Sequence, residues 1–143
     1  MTKIVKTKAI LSFQEKRLTP ENCKFYDYSW QRVCYVLLCH VHVVKNFCLA
    51  PMAEENTSLL GTPFTMSVDL RGYGCTTGVS AFDRSSTIKA LVAGNLNPSE
   101  FARPGHVFPL YGAENGVLER NGHTEATLDM TRMAGLNPGR SSC

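Results

Sequence analysis

The first 60 residues contain no glycine; all eleven of the chain's glycines come after them. There is a single tryptophan. No apolar run approaches the ~20 residues of a bilayer-spanning helix. The longest, Val33–Val44, has twelve residues and carries His40 and His42, so no membrane span is expected. Charge of either sign is also scarce: 15 Lys+Arg against 12 Asp+Glu leave a formal +3, too little for the electrostatic footprint of a nucleic-acid binder. No glycine-rich stretch has the spacing of a P-loop. The opening MTKIVKTKAI is basic but lacks a continuous apolar stretch and a small-residue cleavage site, so it does not read as a secretory signal. The expected location is cytoplasmic, or the plastid in a plant, with the six cysteines as free thiols.

What is present suffices for one domain. At 143 residues, 43% apolar and 19% charged, the chain can bury a core. Its composition changes near residue 48. Residues 1–48 hold eight Lys/Arg and three Asp/Glu, whereas 49–143 hold seven and nine. Four of the six cysteines also fall in the first part.

From Leu49 onward the pattern predicts an α+β domain. Thr65–Leu70 alternates apolar and polar residues as a strand does, and Tyr73–Thr77 is expected to continue extended. A helix opens at Ser80–Asp83, capped by Ser80 or Asp83, and ends at Gly94. Asn97–Glu100 is a further helical turn, Pro104-Gly105 a turn, and His106–Leu110 and Val117-Leu118 short strands. Thr124–Ala134 is a helix stopped by Gly135. Val33–Val44 reads as a buried strand.

Three constellations carry candidate chemistry. Cys39, His40, His42 and Cys48 are zinc-binding residue types. They share an extended run whose neighbours alternate faces, and no second ligand pair has finger spacing, so buried thiols and strand histidines are the preferred reading. Sharper are Arg103-Pro-Gly-His106 and Arg120-Asn121-Gly122-His123-Thr124-Glu125. Each sets a histidine directly after a glycine, where backbone approaches a ligand closely and imidazole acts as acid, base or metal ligand. In the second, a guanidinium, a hydroxyl and helix N–H groups can converge on a phosphate. The third, Cys75–Arg84, is a glycine- and hydroxyl-rich strand-to-helix junction. It reads either as a capped helix or as one wall of a polar pocket.

Taken together, the segments EENTSLLGTPFTMSVDL, GCTTGVSAFDRSSTIKAL, RPGHVFPL and GVLERNGHTEATLDMTRMAGLNP resemble, in family order, 3,4-dihydroxy-2-butanone 4-phosphate synthase of riboflavin biosynthesis. The resemblance runs from about Leu49 to Gly139. It implies an α+β fold with a mixed sheet and flanking helices, a homodimer with active sites near the subunit interface, and Mg²⁺ or Mn²⁺. The implied reaction converts the sugar phosphate ribulose 5-phosphate to formate and L-3,4-dihydroxy-2-butanone 4-phosphate. By motif match, His123 resembles the metal-ligating histidine, Arg120, Asn121, Gly122, His123 and Thr124 the substrate-binding stretch, and His106 a catalytic histidine. The residue types suit the chemistry independently. Enolisation, carbon migration and loss of formate need proton transfers beside a carbonyl and a cation on vicinal oxygens.

The chain departs from the family at both ends. The family's acidic loop, DEDRENEGD in typical members, is not spelled in residues 1–48, and the strand that ends in a catalytic glutamate is replaced by Arg140–Cys143. Back-translated one base early, however, Met1–Ile10 permits Asp-Asp-Glu-Asp-Arg-Glu-Asn-Glu-Gly-Asp, and Lys24–Arg32 read one base late permits the family's next helix and Thr-His-Gly turn. The expected organisation is therefore an atypical, out-of-frame segment 1–48, a partial synthase domain 49–139 and an atypical tail 140–143. The alternative to a synthase is an inactive homologue or fragment that at most binds sugar phosphate or pairs with an intact subunit.

Overall fold

The computed structural model describes residues 35–135. The acidic-loop frames and the tail lie outside the described residues. In chain order the elements are β1 (Tyr35–Cys39), α1 (Val41–Asn46), β2 (Val68–Leu70), α2 (Ala81–Ala93), β3 (Phe101–Tyr111) and α3 (His123–Met133), with 3-10 turns at Pro98–Glu100 and Gly116–Leu118. The strand order is β1-β3-β2, with β3 parallel to β1 and antiparallel to β2. This is the mixed sheet expected for an α+β fold.

Side-chain alternation along the strands sends apolar groups to both faces of the sheet. On one face, Leu37 and Cys39 of β1, Val68 and Leu70 of β2, and Phe101 and Val107 of β3 pack with Val43 and Phe47 and with Ala81, Ile88 and Leu91 of α2. On the other, Leu38 and Leu110 meet Leu128 of α3. Helices thus flank the sheet on both sides. In α2 the expected Ser80 cap is present, its hydroxyl accepting from the Asp83 N–H at 3.0 Å, and Gly94 ends the helix in the left-handed conformation. Thr87, fully buried in the same helix, donates to the Asp83 carbonyl and accepts from the Leu70 N–H, which ties α2 to the end of β2.

Four expectations require correction. Val33–Val44 is not one strand: β1 ends at Cys39 and α1 follows, because Val43 and Phe47 place apolar groups one helical turn apart against the core. Tyr73–Thr77 is not extended. Gly72, Tyr73 and Gly74 all have positive φ, and the Tyr73 hydroxyl donates to Glu100 at 2.6 Å, which holds the loop back on the 3-10 turn. Val117-Leu118 belongs to a 3-10 turn, drawn toward α3 by the Val117 N–H donating to Asp129. Pro104-Gly105 lies within β3 rather than in a turn between elements. The residues are nevertheless placed by the same chemistry. Val68 pairs with Val107 but Asp69 with Ala102, so residues 103–106 bulge out of the β2 ladder. A Cβ on Gly105 would collide with the Val68 backbone, so glycine is what lets the bulge close on β2.

Candidate active site

The bulge of β3 builds the first cluster. His106 is carried back over Asp69, whose carboxylate holds it twice. One oxygen accepts the His106 backbone N–H at 2.9 Å and the other meets Nδ1 at 2.6 Å. The Asp69 side chain is 12% exposed and the imidazole 48%, so a buried anchor carries a solvent-facing ring. Gly78, at φ +81°, lies so close to the Asp69 carboxylate that any side chain there would displace it. Gly78 in turn donates its N–H to Asp83 at 3.0 Å, and the Thr76 hydroxyl donates to the same carboxylate. Burial works to raise the Asp83 carboxyl, but the hydrogen bonds from Thr76 and Gly78 outweigh it and the group sits below its usual range. Cys75 stands half-buried in the same junction. Burial pushes its thiol up, the Ser86 hydrogen bond opposes this, and the charges of Asp83 and Asp69 add to the rise.

The second cluster forms where β3 runs into the loop before α3. Gly122 is the N-cap of α3, and no side chain caps that end. His123 and Asn121 are exposed, while Thr124 and Glu125 are buried. The Arg120 guanidinium, expected to face a phosphate, donates to both Glu125 oxygens at 3.0 and 3.3 Å and to the Leu60 carbonyl at 2.7 Å. Glu125 also accepts from the Ala113 N–H at 3.2 Å. Burial works to raise the Glu125 carboxyl, yet its own backbone N–H, Arg120 and Ala113 together hold it below the ordinary value. A carboxylate of the chain itself therefore sits at the helix N-terminus, where the dipole favours an anion.

The structure brings Arg120, Gly122, Thr124 and Glu125 together but places His106 elsewhere. His106 and Tyr111 are five residue steps apart along β3, about 17 Å of strand at ~3.3 Å per residue, and Glu125 of the second cluster sits just past that end of the strand, on the Ala113 N–H. His106 also lies inside a strand, not at the mouth of a turn. The zinc-type residues do not converge. Cys39 is buried, its thiol donates to the Leu110 carbonyl and burial pushes it up to about 12. His40 meets Arg132 at 2.9 Å, and burial first, then the Arg132 charge, lowers it below its ordinary value. Among the described residues no three His, Cys, Asp or Glu side chains are grouped to hold a metal, and Cys39, Cys48 and Cys75 are free thiols. Asp69 escaped the sequence reading. The available signal was an acid in a strand otherwise lined for burial.

An imidazole anchored on a buried carboxylate in the mixed sheet and a guanidinium in the loop at a helix N-terminus are set in an α+β domain, and both are group types that acid-base chemistry uses. The sequence model of 3,4-dihydroxy-2-butanone 4-phosphate synthase matches residues 7–143. The chain is 52% identical over 100 residues to the 3,4-dihydroxy-2-butanone 4-phosphate synthase of Shewanella loihica, covering 70% of this chain and 46% of that protein. It is 56% identical over 87 residues to the riboflavin biosynthesis protein RibBA of Cytophaga hutchinsonii, covering 61% and 22%. A crystal structure of 3,4-dihydroxy-2-butanone 4-phosphate synthase in complex with two magnesium ions superimposes with a TM-score of 0.76 at 35% identity, over 88% of this chain and 58% of that one. The chain belongs to the 3,4-dihydroxy-2-butanone 4-phosphate synthase family. It spans about half the length of the curated synthases it matches.

Proposed function

We propose that this chain acts as a 3,4-dihydroxy-2-butanone 4-phosphate synthase, a lyase that converts D-ribulose 5-phosphate to L-3,4-dihydroxy-2-butanone 4-phosphate and formate in riboflavin biosynthesis. The observation that carries the reading beyond family membership is the half-exposed imidazole of His106 fixed by Asp69. Proton transfers beside a carbonyl need a base held in place and open to substrate, and His106 meets both conditions. Arg120, Asn121, Gly122, His123 and Thr124 form the substrate-binding stretch, with the phosphate sharing the Arg120 guanidinium and the α3 N-terminus with Glu125.

A homodimer is part of this reading. His106 lies in mid-strand while the Arg120–Thr124 stretch begins in the loop beyond the end of β3, an arrangement that suits a site taking the two clusters from different subunits. His123 is the candidate ligand for Mg²⁺ or Mn²⁺, ions that prefer several oxygen ligands. Among the described residues it has no carboxylate beside it, since Glu125 is committed to Arg120, so these residues do not by themselves hold a divalent ion. A cytoplasmic or plastid location is part of the same reading, and no helix among the described residues is long and apolar enough to cross a membrane.

Purified chain incubated with ribulose 5-phosphate and Mg²⁺ is expected to release formate. Equimolar His106→Gln and His123→Ala chains, each inactive alone, are expected to regain activity when mixed, because one of the two sites in a mixed dimer is intact. No formate from the unaltered chain would favour the inactive homologue, and no recovery on mixing would reject the shared site.

A further inference from the structure

We propose that Asp69 is a positioning residue that fixes His106 as the Nδ1–H tautomer and so assigns proton transfer to Nε2. The inference rests on the acid-base reading of His106 and names the residue that makes it possible.

A carboxylate only accepts hydrogen bonds, so a ring nitrogen 2.6 Å from an Asp69 oxygen must carry its proton. The other Asp69 oxygen is taken by the His106 backbone N–H at 2.9 Å, so ring and main chain are clamped by the same group. The carboxylate has little freedom to turn. It projects from β2 at the register break, its flank is closed by Gly78, and the Ser67 hydroxyl accepts the Gly105 N–H at 3.1 Å, pinning the bulge that delivers His106. Nδ1 therefore faces protein, and Nε2 is left on the exposed side of the ring. In the neutral imidazole, Nε2 is then the nitrogen with the lone pair.

This arrangement predicts an inversion. In Asp69→Asn the amide oxygen stays with the His106 backbone N–H, which can only donate, and the amide NH₂ is left facing Nδ1. A donor facing Nδ1 requires the lone pair there and moves the ring proton to Nε2.

The experiment is ¹⁵N–¹H correlation NMR of the imidazole nitrogens in the full chain, with His106 assigned by its loss in His106→Gln. Formate release is measured on the same samples. The unaltered chain is expected to show His106 with a protonated Nδ1 and an unprotonated Nε2, and Asp69→Asn the reverse. In the same variant kcat is expected to fall roughly tenfold or more, with KM within about twofold. An Nε2–H tautomer in the unaltered chain overturns the proposal without any variant. So does an unchanged tautomer in Asp69→Asn, or an inverted tautomer with full kcat. Full activity of His106→Gln overturns the underlying acid-base reading, an outcome separable because the tautomer is read without turnover.

Discussion

Replacing Arg120 by alanine removes the cation from a carboxylate that has no contact with water. Glu125 is 0% exposed and the Arg120 side chain 32% exposed. Stripping one partner from a buried ion pair costs about 3–5 kcal/mol, because the remaining charge is uncompensated. Glu125 keeps the Ala113 N–H and the dipole of α3, which places the loss toward the lower end. The Leu60 carbonyl also loses its donor, about 0.5–1.5 kcal/mol for a hydrogen bond and nearer the low figure at an exposed group. We expect a loss of about 3 kcal/mol at pH 7, a shift of roughly 1–3 M in the urea midpoint for a slope of about 1–3 kcal/mol per M. The pH dependence has a definite sign. The Glu125 carboxyl is held below its ordinary value, so its contribution in the unaltered chain is present above the unfolded pKa and is lost as pH falls through the folded one. In Arg120→Ala the burial that opposes ionisation is left with less to offset it, and acid neutralises the stranded charge. The gap between the two proteins should therefore be full at neutral pH and shrink in acid, as Glu125 is protonated. Urea unfolding followed by circular dichroism at the two pH values tests this. A gap under about 0.5 kcal/mol at pH 7, or one that does not narrow in acid, would refute the reasoning. If phosphate shares the same guanidinium, the variant also loses about 1.5–3 kcal/mol of ribulose 5-phosphate affinity by calorimetric titration.

Asp83→Ala strands the buried Gly78 N–H and the Thr76 hydroxyl, and a drop of roughly 5–10 °C in Tm is expected by calorimetry; an unchanged Tm would show that water replaces the carboxylate. Alkylation by iodoacetamide at pH 8, mapped by mass spectrometry, should label exposed Cys48 and spare Cys39, whose thiol is buried and pushed up to about 12; labelling of Cys39 in the folded chain would contradict the packing of β1. His123→Ala should abolish any Mg²⁺- or Mn²⁺-dependent part of ribulose 5-phosphate binding and leave the metal-free part nearly unchanged, as read by titration with and without EDTA. The encoding DNA should spell the acidic loop one base ahead of Met1–Ile10, and codons that cannot do so end the frameshift reading.

The two long helices were legible because their stops are local. Ser80 and Gly94 set α2 without reference to anything distant, and Gly135 follows the end of α3. The Val33–Val44 run was not, since a continuous apolar stretch has no period, and strand and helix split it only through contacts with β3 and the core. Gly105-His106 stood out for the right residue and the wrong local reason: the glycine serves close approach to β2 inside a bulge, not a turn. At Arg120–Thr124 the sequence supplied all the residues but not their pairing, because whether a guanidinium faces ligand or Glu125 depends on how deep the helix start is buried. Asp69 was hidden for the same cause. Its role comes from a register break that only the assembled sheet possesses.

The strand order has a consequence for synthesis on the ribosome. β3 lies between β1 and β2, yet it is the last of the three to be made. Tyr35 waits for Val107, and Val68 for the same residue. β1 and β2 do not pair with each other, so a nascent chain that has released everything before residue 101 has no rung of this sheet. Its apolar strands stay open to other chains, as unpaired edges are. Emergence of Phe101–Tyr111 then lets both ladders form at once, across long loops whose closure slows folding. Translation speed over that stretch sets how long the unpaired state lasts.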